Sequence, residues 1–139
     1  MAVSLHTLAD TRYRTTVKVQ VSSTNSSAEI LNVSDLVGWQ TGSLVNIAKI
    51  FWSLAPAAIT NTATLVWSGT TPADAFVFAL FNGGEYGYQP GQPAIVHAVA
   101  PAGVAAGDVA LTNAAAAVGT IVIEFHKVIN NATGAGWAA

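Results

Sequence analysis

Between Ile50 and His126 the chain carries neither lysine nor arginine, and the only acids in that span are Asp74, Glu85, Asp108 and Glu124. From Arg14 to Lys127 it runs as short alternating or β-branched stretches broken by turn residues. A chain this poor in charge must hide its surface, in a core and also against other protein. The pattern predicts a β-sandwich subunit of an assembly and not an active site.

Length and composition sharpen that expectation. A chain of 139 residues is one domain, long enough to bury roughly two thirds of its unfolded surface without metals or disulfides. It has no cysteine, which excludes disulfides, thiolate zinc sites, iron–sulfur clusters and thiol catalysis. Charged residues make up 9% and apolar ones 52%, and disorder needs the opposite balance. The net charge of −2 gives no general attraction to nucleic acid. No apolar run approaches a membrane span, and the N-terminus lacks a basic segment followed by an apolar one, so neither a membrane nor a secretion signal is expected.

Residues 1–12 lack a strand period and read as an N-terminal arm. From Tyr13 to Ser22 the chain alternates, with Tyr13, Thr15, Val17, Val19 and Val21 on one side, which predicts a half-buried strand. The stretch SSTNSSAE reads as a polar loop, followed by a short strand at Ile30–Val33 and a turn at Ser34–Asp35. Gly38 to Gly42 reads as a loop presenting Trp39. Leu44 to Leu54 fits a helical stripe or a strand covered on both faces; its β-branched and aromatic content favours the strand, ended by Pro56. Thr62–Ser68 is a further strand, and Ala75–Phe81 is apolar throughout, as for a central strand. Asn82-Gly83-Gly84 marks a turn. Glu85–Pro93 reads as an aromatic loop, and Ala94–Ala100, Asp108–Asn113 and Gly119–Val128 as closing strands. The expected architecture is all-β, a single antiparallel β-sandwich of the jelly-roll kind over residues 13–128, with an immunoglobulin-like sandwich as runner-up. Residues 129–139 form a tail whose Trp137 is costly to leave in water.

Chemistry is largely missing from this pattern. His6, His97 and His126 are scattered, without the close spacing of a preformed metal site. Asp74, Glu85 and Asp108 sit in turns, where acids cap backbone. No nucleophile elbow, phosphate-binding glycine loop or zinc-protease motif is present. The expectation is a non-enzymatic protein with no catalytic residues, metal or cofactor. Trp39, Tyr86 and Tyr88 read instead as loop-borne aromatics that anchor a protein interface. The same rings, with Gln40, Asn82 and Gln89 nearby in sequence, fit a glycan stack as the alternative. Arg12, Arg14, Lys18 and Lys49 lie in the first 50 residues; they form either a small basic foot, of which Arg12 and Arg14 are the interface candidates, or an ordinary solvated edge. Trp137 completes the candidate interface.

The stretch Leu65-Val66-Trp67-Ser68-Gly69-Thr70-Thr71-Pro72-Ala73-Asp74, the closing Gly119-Thr120-Ile121-Val122-Ile123-Glu124-Phe125-His126-Lys127 and the opening strand Tyr13–Val21 resemble small virion structural proteins of tailed bacteriophages. The likeness covers roughly residues 12 to 128; the Ala-rich 94–118 region and the Trp-bearing tail depart from it. The resemblance implies a jelly-roll-like cement or decoration protein, often a homotrimer, bound to the major capsid protein. It implies residence in the virion after synthesis in the host bacterial cytoplasm. A carbohydrate-binding or tail accessory module of the particle is the alternative.

Overall fold

The computed structural model describes residues 3–39, 45–56, 63–70, 73–95, 108–128 and 137. Seven strands occupy most of them: β1 (Val3–Asp10), β2 (Arg14–Leu31), β3 (Val45–Pro56), β4 (Ala63–Thr70), β5 (Ala73–Leu80), β6 (Gly83–Tyr86) and β7 (Val109–Lys127). The protein is all-β. The one helical element among the described residues is a 3-10 turn at Val33–Asp35, capped where Asn32 Oδ1 accepts from the Ser34 amide at 3.2 Å.

Every pairing is antiparallel, and two long strands carry the network. The first half of β2 and the second half of β7 pair with each other inside the order β1-β2-β7-β3-β6. Past register shifts between Ser23 and Ala28, their other halves pair again, and there β4 joins β7 while β5 joins β4. Two antiparallel sheets thus share β2 and β7. Their apolar sides meet in one cluster that takes Val17, Val19 and Val21 from β2, Ile50 and Trp52 from β3, Leu65 and Trp67 from β4, and Leu111, Ile121, Ile123 and Phe125 from β7. Each such fully buried aliphatic or aromatic side chain stabilises the fold by about 1.5 to 3 kcal/mol.

Alternation locates the inward side correctly in β2, where Thr15, Val17, Val19 and Val21 are buried, although Tyr13 is 61% exposed. Several element boundaries differ from the sequence expectation. SSTNSSAE and Ile30–Val33 are not a loop and a second strand, because β2 runs through to Leu31 paired with β7. Asp108–Asn113 and Gly119–Val128 likewise merge into β7. Backbone pairing with a long neighbour holds such stretches extended where their own side chains show no period. Residues 1–12 are not a free arm either: Val3 to Asp10 pair along β2. Only Val3 of that strand is buried, so no inward side exists to impose a sequence period.

β5 pairs with β4 alone among the described residues, at an edge and not at the centre of its sheet. The Glu85–Pro93 loop begins as β6 on the edge of β3. Of the expected strand Ala94–Ala100, Ile95 makes a bridge to Ile47. Residues 96–100, the loop residues Gln40, Thr41 and Gly42, the side chains of Phe76 and Phe78, and the tail apart from Trp137 lie outside the described part.

In β3 the strand reading holds, but its phase changes midway. Val45 and Ile47 are buried, then Ile50, Trp52 and Leu54. The β3–β7 register shifts between Ile47 and Lys49, so Ala48 is the extra residue of a bulge that flips the following side chains. Lys49 and Phe51 therefore point outward, and the strand has one covered face, not two. Gly87 seals the bulge: its φ is +90°, and a Cβ there would run into the Ala48 carbonyl oxygen. Gly87→Ala is expected to destabilise the domain by about 2 kcal/mol or more, combining a left-handed backbone penalty with that clash. Thermal denaturation measures it, and an unchanged midpoint would disprove the seal.

Candidate interaction surface

The inward phase of β7, set by Ile121, Ile123 and Phe125, continues to Lys127 and carries its ammonium into the protein. The Lys127 side chain is fully buried. Its Nζ donates to Asp10 Oδ1 at 2.7 Å, to the Thr11 carbonyl at 2.6 Å and to the Val37 carbonyl at 2.7 Å, which uses all three of its protons. The Trp137 ring lies over it, 4.7 Å from Nζ to the ring centroid, a cation–π arrangement. Asp10 Oδ2 accepts from the Val37 amide at 2.9 Å, and the Tyr13 carbonyl accepts from the Lys127 amide at 2.8 Å. One ammonium thereby ties the β1–β2 turn, the 36–39 loop and the end of β7 together.

The segments joined by this clamp carry exposed apolar side chains. Tyr13 and Val37 are bonded to Lys127 through their own carbonyls, Leu8 precedes Asp10 by two residues and Trp39 follows Val37 by two; all four are exposed. The Trp39 amide donates to the Leu36 carbonyl at 3.2 Å, so its backbone is held while its ring is presented. A depression of about 730 Å³, lined by Thr11, Tyr13, Arg14, His126 and Lys127, opens beside them. Arg12 sits on this turn, with its guanidinium 5.5 Å from the Tyr13 ring centroid.

The outward face of the β1-β2-β7-β3-β6 sheet carries the remaining cations. Glu124 at its centre receives Arg14 Nη1 at 3.1 Å, with His126 Nε2 at 3.6 Å and Lys49 Nζ at 3.8 Å. Lys49 also lies 5.3 Å from the Tyr88 ring centroid. Arg14 and Tyr88 are therefore linked through Glu124 and Lys49. Partly exposed pairs of this kind contribute little to stability, roughly 0 to 1 kcal/mol each. In the sheet half that β4 and β5 extend, burial and then the carboxylates of Asp108 and Asp35 raise the pKa of the Glu29 carboxyl from its ordinary value. Asp108 acts as a cap, as its turn position suggests: its Oδ1 accepts from the Val33 amide at 2.9 Å.

The expected interface residues thus separate. Trp39 and Arg12 stand at the clamp end, Arg14 and Tyr88 on the outer face. Tyr86 is half-buried beside the core, and its hydroxyl donates to the Pro93 carbonyl at 2.7 Å. Gln92 Oε1 accepts from the Gly87 and Gln89 amides and folds the loop beyond it. Trp137 is corrected most: it is 5% exposed and packed into the core of its own domain, because covering its ring also covers Lys127. Lys127 is not among the residues the sequence marks for an interface, although the alternation of Ile121, Ile123 and Phe125 continues directly to it.

Among the described residues no three His, Asp or Glu side chains gather as a metal site, and no helix is long and apolar enough to cross a membrane. No family model matches the chain, and no curated protein or solved structure is found similar to it.

Proposed function

We propose that the protein is a non-enzymatic structural component of a tailed-phage particle, a cement or decoration protein that binds the head through the major capsid protein. In this reading the two sheets close as one jelly-roll-like sandwich, and the body serves as a rigid platform. The observation that carries it is the exposure of Leu8, Tyr13, Val37 and Trp39 on segments tied together by a fully satisfied buried ammonium. Exposed aromatics on a preorganised frame are what a large neutral interface needs, since little side-chain or loop entropy is then lost on binding. The resemblance of Leu65–Asp74 and Gly119–Lys127 to phage virion proteins supplies the class of partner.

Incubating the purified protein with undecorated tailed-phage heads tests the proposal. Saturable binding is expected, weakened about tenfold or more by Trp39→Ala, the loss a central aromatic anchor typically brings, with the thermal transition of the isolated domain unchanged. Absence of binding to any head would overturn it. Tyr88 remains an exposed ring beside Gln89, so a glycan array is the companion assay; saturable sugar binding lost in Tyr88→Ala would replace the cement reading with a carbohydrate-binding module.

A further inference from the structure

β1 and β6 are the two ends of one hydrogen-bonded run, β1-β2-β7-β3-β6, and among the described residues each is paired on one side only. An edge strand presents a row of free amide and carbonyl groups, and proteins normally blunt it with Lys, Pro or a cover. From Val3 to Thr7, up to the register shift before Ala9, β1 has neither Lys nor Pro. Its inner side is also bare. Leu5 lies opposite Val19 in the register, yet Val19 is 0% exposed and Leu5 44%. The layer that covers β2 stops short of β1.

Charge is distributed across this sheet with a direction. The registers place His6 beside Lys18, Lys18 beside Val122, Val122 beside Phe51 and Phe51 beside Glu85. These five residues form one row on the outward face, basic at the β1 end and acidic at the β6 end. Elsewhere on the face the charges are committed: Arg14, Lys49 and His126 surround Glu124. No ion pair within the described residues engages His6, Lys18 or Glu85.

We propose that this sheet joins a second copy of the same chain edge to edge, β1 of one copy against β6 of the next, with Glu85 of the second copy directly beside His6 of the first and one strand further from its Lys18. The four antiparallel steps between β1 and β6 leave the two strands running in the same direction, so the new pairing is parallel. On the inner side it brings Gly84, over which the Trp52 ring of its own copy lies, and Tyr86 of the second copy next to Leu5 and Thr7, so that an aromatic flank meets the exposed Leu5. The occupant follows from charge complementarity. Pairing β1 with another β1 would bring His6 and Lys18 of both copies together, and β6 with β6 would oppose two Glu85 carboxylates. The head-to-tail pairing alone opposes unlike charges. Because it uses two different surfaces, it closes into a ring or propagates as a filament, depending on the rotation between copies. This self-association stands independently of any capsid.

The test is charge reversal followed by mixing, read as weight-average mass by light scattering across concentration and salt. The unmodified chain should show mass above the monomer that falls as salt is raised. Lys18→Glu alone and Glu85→Lys alone should each weaken association about threefold or more, like charges replacing unlike ones across each junction at a separation of about two strand spacings. An equimolar mixture of the two variants should recover it, since each then offers the charge the other lacks. Both side chains point away from the core, so the thermal transition of each variant stays in place. A strictly monomeric wild-type chain would overturn the proposal. So would Glu85→Lys associating as well as wild type, or a mixture no better than either variant alone. Failure to bind phage heads bears on the proposed function and leaves these outcomes untouched.

Discussion

Lys127→Met is expected to lower the stability of the domain by about 3 to 5 kcal/mol, the usual loss when one member of a buried, hydrogen-bonded charge pair is removed. The methionine fills much of the same volume, so the loss comes from what stays behind. Asp10 keeps a carboxylate with little solvent around it, and the Thr11 and Val37 carbonyls lose their donor. The ties between the β1–β2 turn, the 36–39 loop and β7 then weaken together. Urea denaturation should show a lower midpoint with an unchanged m-value. Combining Asp10→Asn with Lys127→Met should cost less than the sum of the two single changes, because both act on one contact. A variant as stable as wild type would show that the ammonium does not organise this end. The same substitution should also weaken binding to phage heads if the surrounding apolar side chains form the contact.

Trp137→Ala is expected to cost about 3 to 5 kcal/mol as well, the range for deleting a large buried aromatic ring. From sequence alone, loss of this residue would leave the isolated domain nearly as stable as before and act on attachment only. Burial of the ring in the core and its position over Lys127 reverse that expectation. A fall in the thermal midpoint of about 10 °C or more would follow for a domain of this size. If the midpoint stays where it is, Trp137 is not part of the core and the surface role returns. Trp39→Ala supplies the contrast, since its ring is 43% exposed and its removal should leave the midpoint in place.

What the chain disclosed by itself was the part governed by neighbouring residues. Alternation over Thr15 to Val21 and over Ile121 to Phe125 follows from strand geometry and one apolar side, so both strands and their inward phases could be read directly. The β-branched and aromatic run in β3 overrode a helical spacing for the same local reason. The all-β class rests on such stretches. β1 escaped because a strand with only Val3 buried has no side to mark. The polar half of β2 escaped because its extended form is imposed by β7, more than eighty residues along the chain.

The surface was less legible than the strands, and the cause is distance along the chain. Trp39 could be recognised as an exposed ring from its glycine neighbours, but nothing local couples Val37 to Asp10 or places both against Lys127. The Ala48 bulge depends on the fit of β3 to β7 and on the close approach of Gly87, and it alone sends Lys49 and Phe51 outward. Likewise His6, Lys18 and Glu85 are unremarkable in sequence; four strand registers set them in one row with opposite signs at its ends. Local side-chain pattern therefore determined which segments are strands and which side of each is apolar. Tertiary pairing decided which edges stay open, which lysine is buried and which aromatic belongs to the core, because those outcomes depend on backbone groups that meet only after the chain has closed long loops.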